Sequence, residues 1–191
     1  YAAFQPVDYI MITHTHGDHM DKKTLEGLEF EDATLIAPAD VVEQLEDFEF
    51  HKVIIMKSGE TKNLGLFSVT SVPMYNLPEG TGGHRKGEGN GYVLSLDGKR
   101  IYISGDTEDI AEMRKLKGID VAFVCMNLPY TMTEKQAAEA VIAFEPKIVY
   151  PYHYRGKEGF SDISLFKELV DDSGKNIEVR LVDWYPRKPG E

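Results

Sequence analysis

An apolar run, Tyr9-Ile10-Met11-Ile12, leads almost directly into His14-Thr15-His16-Gly17-Asp18-His19, and this junction constrains the fold more than any other part of the chain. A buried strand must end where three imidazoles and a carboxylate gather, so the fold needs a sheet edge able to carry chemistry. Side chains of extended backbone alternate, which sends His14 and His16 to one side, while the turn at Gly17 lets Asp18 and His19 aim elsewhere. That geometry suits two neighbouring metal ions. Imidazole and carboxylate together accept zinc, iron and, with more oxygen donors, manganese.

Strand-like and helix-like segments alternate along the rest of the chain, which predicts an α/β architecture with helices packed outside sheet. Strands are expected at 7–13, 34–37, 53–56 and 66–74, with helices at 22–28 and 39–48. The segment 79–91 holds six glycines and is expected to be a loop. Residues 92–96 and 100–104 flank Asp97-Gly98 as a hairpin with a favoured two-residue turn. A helix follows Gly105-Asp106-Thr107, with Ile110, Met113 and Leu116 on one face. A strand is expected at 120–126, then a helix to Phe144 opened by a capping box of Thr133 and Gln136. A strand at 147–152 ends at His153, and a helix at 162–170 and a strand at 177–182 complete the pattern. A single domain over 1–191 is expected, with 42% hydrophobic content enough for one buried core.

Composition narrows the function. The net charge of -11, from 21 basic against 32 acidic side chains, disfavours a polyanion partner, and no nucleic acid is expected to bind. No stretch reaches transmembrane length and the first residues do not resemble a signal peptide, so no membrane partner is expected and a cytoplasmic location is. The chain starts at tyrosine and enters its histidine motif within about a dozen residues, which leads to the expectation of a preceding segment, itself a place for a targeting signal. Cys125, the only cysteine, lies in the apolar run Val121-Ala122-Phe123-Val124-Cys125-Met126 and is expected in the core. His51 is expected at the surface.

Two further residues stand at strand ends. Asp106 follows Ile101-Tyr102-Ile103-Ser104-Gly105, where it fits either a carboxylate projecting into a cleft or an ordinary helix N-cap. His153 follows Ile148-Val149-Tyr150-Pro151-Tyr152 and fits either a core histidine or a site residue, since α/β folds assemble sites at strand ends.

The order His14-x-His16-x-Asp18-His19, a loop histidine, Gly105-Asp106-Thr107 and Tyr152-His153-Tyr154 resembles the metallo-β-lactamase superfamily of binuclear metal hydrolases. His84-Arg85-Lys86-Gly87-Glu88-Gly89-Asn90-Gly91-Tyr92 and the segment from Pro146 to Tyr154 are similar to its branch of ascorbate-6-phosphate lactonase-like metal-dependent hydrolases. The resemblance implies an αββα four-layer sandwich, here lacking the leading strands that usually precede the first motif. It implies that His14, His16 and a third histidine hold one metal, that Asp18, His19 and His153 hold the other, and that Asp106 bridges them. The third histidine often stands near the end of the strand before the loop. Tyr75-Asn76 occupies that place here, so His84 is assigned as the ligand, the alternative being a substrate contact with water completing the first metal.

The resulting expectation is a hydrolase with two divalent ions, zinc foremost and manganese or iron as alternatives. A metal-bridging hydroxide would attack a small ester, lactone or phosphorylated substrate, and Asp106 and Asp18 serve as its catalytic carboxylates. Arg85, Lys86 and Arg155, with Lys157, are candidate phosphate contacts, and Asn76, Tyr130 and Tyr154 are further pocket candidates. The alternatives are a metal-dependent phosphodiesterase or nuclease and a non-catalytic metal-binding regulatory domain. A homo-oligomer is compatible with this chain, although no coiled-coil seam specifies one.

Overall fold

The structure is a computed structural model that describes residues 6–185. Strands β1 (Tyr9–Met11), β2 (Thr34–Ala37) and β3 (Lys52–Ile55) form a parallel sheet in that order. Parallel neighbours need a crossover, and helices α1 (Lys22–Glu26) and α2 (Ala39–Gln44) lie in the two connections.

The antiparallel half of a second sheet comes from β4 (Thr61–Asn63), β5 (Phe67–Pro73), β6 (Asn90–Leu96) and β7 (Lys99–Ile103). Helix α3 (Ala111–Arg114) leads to β8 (Val121–Cys125), and α4 (Glu134–Phe144) leads to β9 (Ile148–Tyr152). A two-stranded ribbon of β10 (Arg155–Gly156) and β11 (Gly159–Phe160), helix α5 (Ile163–Asp171) and strand β12 (Glu178–Val179) follow. The order in this sheet is β12-β9-β8-β7-β6-β5-β4, parallel from β7 to β12.

Strand alternation sorts the apolar side chains into three cores, and so into four layers. On β2, Leu35 and Ala37 pack with Leu25 of α1 and Val41 of α2, whereas Ile36 packs with Met56, Val69 and Tyr92 between the sheets. On β6, Tyr92 and Leu94 face that middle core while Val93 faces Tyr102, Val141, Phe144 and Phe166 beneath α4 and α5. The sequence of layers is helix, sheet, sheet, helix, the expected αββα sandwich.

The two sheets are also joined by polar bonds beside the histidine motif. The Tyr92 hydroxyl donates to the Ile12 carbonyl at 2.8 Å, and the Asn90 amide donates to the Thr13 carbonyl at 2.9 Å. The chain leaving β1 is thereby pinned to β6 one residue before His14.

Local chemistry explains the β6–β7 turn and the start of α4. The β6–β7 hairpin turns through Asp97 (φ 50°) and Gly98 (φ 71°), the two positive values a type I′ turn requires. In α4 the Thr133 hydroxyl accepts from the Gln136 amide and the Gln136 side chain accepts from the Thr133 amide, closing the capping box. Cys125 is fully buried.

Several expectations are corrected in extent. The strand expected at 177–182 pairs only over Glu178–Val179, and the helix carrying Ile110, Met113 and Leu116 is the single turn Ala111–Arg114, although Ile110 and Met113 are fully buried. Strand β4 was not expected because Thr61, Lys62 and Asn63 are all exposed and carry no apolar alternation; pairing with β5 makes it a strand. The β10–β11 ribbon likewise lacks a sequence signal.

Candidate metal centre

The segment after β1 turns tightly, with the amides of His19 and Met20 both donating to the His16 carbonyl at 2.9 and 2.8 Å. Thr13 lies beneath this turn. Its hydroxyl is 2.9 Å from His14 Nδ1 and 3.2 Å from His19 Nδ1. A hydroxyl oxygen has two lone pairs, so it accepts from both rings when each carries its hydrogen on Nδ1, which leaves both Nε2 atoms bare.

Asp106 arrives from the end of β7, past Gly105, whose backbone is left-handed (φ 63°) and where a Cβ would press on Met74 at 2.8 Å. His153 arrives from the end of β9 and is itself left-handed (φ 47°). Such a conformation costs a non-glycine residue on the order of 1 kcal/mol, and it aims the imidazole at the same point. His84 comes from the glycine-rich loop and is buried.

These side chains converge. His16 Nδ1 lies 3.1 Å from His14 Nε2 and 3.2 Å from His84 Nε2, so His14, His16 and His84 form one compact donor group. Asp18, His19 and His153 form another, with His153 Nε2 3.3 Å from Asp18 Oδ2. Asp106 stands between them: Oδ2 is 3.5 Å from His84 Nε2 and 3.4 Å from His153 Nε2, while Oδ1 is 3.2 Å from His19 Nε2.

A divalent ion fits this donor set on three counts. Tetrahedral bonds of about 2.0 Å place donor atoms about 3.3 Å apart, close to the spacing around His16. His19 Nε2 and Asp106 Oδ1 are buried polar atoms without a hydrogen-bond partner, a costly state that coordination would relieve. The protonation states of His14, His84 and Asp106 also suit a cation, which needs neutral imidazole and ionised carboxylate. Burial, reinforced by the neighbouring His19, lowers the His14 pKa to about 2. Burial likewise depresses His84 against the pull of Asp106. Burial opposes the charge on Asp106, but contacts with His153 and His19 outweigh it and hold the carboxyl well below its usual range. His153 runs the other way: its contact with Asp106 outweighs burial and shifts it upward, so a cation there competes with a proton.

His16, Asp18, His84, Asp106 and His153 line a cleft of about 440 Å³ that also takes in Asn76, Tyr130 and Arg155. Arg155 is held with its guanidinium 4.7 Å from the centre of the Tyr185 ring. Other pocket candidates lie elsewhere. Tyr154 is buried and its hydroxyl donates to the Val182 carbonyl, making it a core residue. Arg85 points into solvent beside Glu88. Lys86 lies 3.1 Å from Glu112 and 3.4 Å from Glu79 over the Tyr75 ring, so it straps the glycine-rich loop rather than facing the cleft. Lys157 lines a neighbouring cavity of about 470 Å³. His51 is exposed, as expected.

Sequence reasoning missed three participants. Thr13 orients two rings; its only signal was its place directly before the motif. Glu108 and Asn127 line the cleft. The Asn127 amide nitrogen is 3.2 Å from His153 Nε2, and its carbonyl oxygen accepts from the Thr131 hydroxyl at 2.8 Å.

Comparison with known proteins is consistent across sequence and structure. The family model of the beta-lactamase superfamily domain matches residues 1–154. A UPF0173 metal-dependent hydrolase of Pyrococcus abyssi is 34% identical, the match covering 98% of this chain and 81% of the relative. The solved structure of a candidate metal-dependent hydrolase from Parabacteroides distasonis superposes with a TM-score of 0.80 at 42% identity, covering 92% of this chain and 76% of that one. Igni18, a metallo hydrolase of Ignicoccus hospitalis, superposes with a TM-score of 0.76 at 26% identity, covering 93% and 76%.

Proposed function

The chain belongs to the metallo-β-lactamase superfamily, and from that membership we propose a metal-dependent hydrolase with two divalent ions, acting on a small ester, lactone or phosphorylated substrate. The observation that carries this reading is the position of Asp106, with one carboxylate between two groups of donors. His14, His16 and His84 would hold one ion, Asp18, His19 and His153 the other, and Asp106 both. When bound, such ions would lower the pKa of a water molecule toward about 7 and polarise the oxygen that gains charge. An imidazole-rich set suits zinc or iron, and the carboxylates extend it to manganese.

The chain's own groups supply the rest. Asp18 is exposed to the cleft, 3.3 Å from His153, where its free oxygen can take up the proton that the attacking water loses and pass it to a leaving group. Asp106 is buried and ionised, so it holds position rather than exchanging protons with solvent. Arg155, fixed against Tyr185, offers a bidentate site for a carboxylate or phosphate at the cleft wall. A cleft of about 440 Å³ fits a small molecule. A nuclease reading finds little support in a net charge of -11, and no helix among the described residues is long and apolar enough to cross a membrane.

The test combines metal analysis with a substrate panel. Protein purified without chelator is expected to carry close to two divalent ions per chain. It should hydrolyse at least one of p-nitrophenyl acetate, a thiolactone and bis-p-nitrophenyl phosphate, with Asp106→Ala inactive on each. Protein that takes up no metal under permissive loading would refute the centre; loaded protein inert across the panel would favour a non-catalytic metal-binding domain.

A further inference from the structure

Asn76 occupies the position after β5 where it meets three other segments of the chain. Its Oδ1 accepts from the backbone amide of His84 at 2.9 Å and lies 3.1 Å from His84 Nδ1. Its Nδ2 donates to the Tyr130 carbonyl at 2.8 Å and to Glu108 Oε1 at 3.1 Å. These partners fix the amide's orientation, because a backbone N–H only donates and a carbonyl only accepts. With Oδ1 facing His84, Nδ1 of that ring must carry the hydrogen. Nε2 is then a bare lone pair, 3.2 Å from His16 Nδ1 and 3.5 Å from Asp106 Oδ2.

The surroundings reinforce this arrangement. The loop wraps around the amide at Gly82, which is left-handed (φ 73°) and where any Cβ would overlap the Asn76 side chain. Asn76 borders the cleft, yet its oxygen and nitrogen are engaged by protein. It is therefore poorly placed for the substrate contact expected from sequence.

We propose that Asn76 is the positioning residue of the first donor group, fixing His84 as an Nε2 donor and so setting that group's affinity for a divalent ion. The inference rests on the two-ion reading above and concerns an outer partner that orients a ligand. Such partners typically change metal affinity by about 10- to 100-fold.

Cobalt(II) titration followed by visible absorption, with metal content and circular dichroism in parallel, tests it. Asn76→Ala is expected to weaken one of two cobalt sites by about 10- to 100-fold, and His84→Ala to weaken the same site. The double variant should bind no more weakly than His84→Ala, because Asn76 acts through that ring. In metal-free protein, nitrogen NMR of the imidazoles should show His84 protonated on Nδ1 in the wild type and in Asn76→Asp, whose carboxylate keeps the acceptor. That signal should be lost in Asn76→Ala. Wild-type cobalt affinity in Asn76→Ala, equal weakening of both sites, or additive losses in the double variant would each overturn the proposal. Should Asn76→Ala fail to fold, Asn76→Asp decides: cobalt binding as weak as that of His84→Ala despite retained Nδ1 protonation would refute it. A wild type that binds no cobalt defeats the two-ion reading and the affinity claim together, while the NMR comparison still decides whether Asn76 sets the state of the ring.

Discussion

Nε2 of His19 and Oδ1 of Asp106 lie 3.2 Å apart in the interior, and neither makes a hydrogen bond. Two buried polar atoms side by side without partners mark a centre that is stabilised when an ion joins them. Chelator treatment of metal-loaded protein should therefore lower its melting temperature. Ions present at about 1,000 times their dissociation constant contribute about 4 kcal/mol. Calorimetry with and without chelator measures it, and an unchanged midpoint after verified metal removal would contradict a load on these atoms.

Thr13 supplies one hydroxyl to two rings, so its replacement should disturb both donor groups at once. Thr13→Val is expected to reduce metal affinity by about 10- to 100-fold, and Thr13→Ser, which keeps the oxygen, should retain most of it. Competition with a chromogenic chelator reads the difference. Equal affinities for the valine and serine variants would show that the hydroxyl does not orient the imidazoles.

Gly156 has no room for a side chain, because a Cβ there would overlap the Leu128 carbonyl oxygen, which already accepts from the Lys157 amide. The obstacle is backbone and cannot swing aside. Gly156→Ala should destabilise the fold by about 1–3 kcal/mol and shift the segment carrying Asn127 and Tyr130. Denaturant unfolding gives the first quantity; a midpoint within experimental error of the wild type would show that the ribbon yields freely.

Burial pushes the Cys125 thiol up to about 12, and the side chain has no solvent exposure. Little thiolate exists at neutral pH and a reagent cannot reach it. Native protein should react with a disulfide reagent at pH 8 only at the rate of unfolding, and denatured protein at once. Fast native labelling would place the thiol at the surface.

The layers of this fold were legible because strand alternation and helical spacing are local properties. What lay outside that reach depended on distant partners. Strand β4 exists through pairing with β5 rather than through any apolar pattern of its own. The convergence of Asp106 and His153 on the histidine motif could be argued from strand ends, but taken alone Asp106 also fitted a helix cap and His153 a core position. Tyr154 was named for its place directly after His153, but its hydroxyl donates to the Val182 carbonyl, a distant partner that the sequence does not show to be a neighbour. Asn76 was recognised as lying near the site, while its role depended on Glu108 and Tyr130, which the sequence does not show to be neighbours.

The donors come from the segment after β1, a loop before β6, the end of β7 and the end of β9, on both sides of the junction between the sheets. A chain made from its first residue onward can therefore offer metal only scattered, partial claws until the strand ending at Tyr152 has docked. Capture of the full complement is then a late event, and two ions shared among the seven side chains would rivet two halves that hydrophobic contact has already brought face to face.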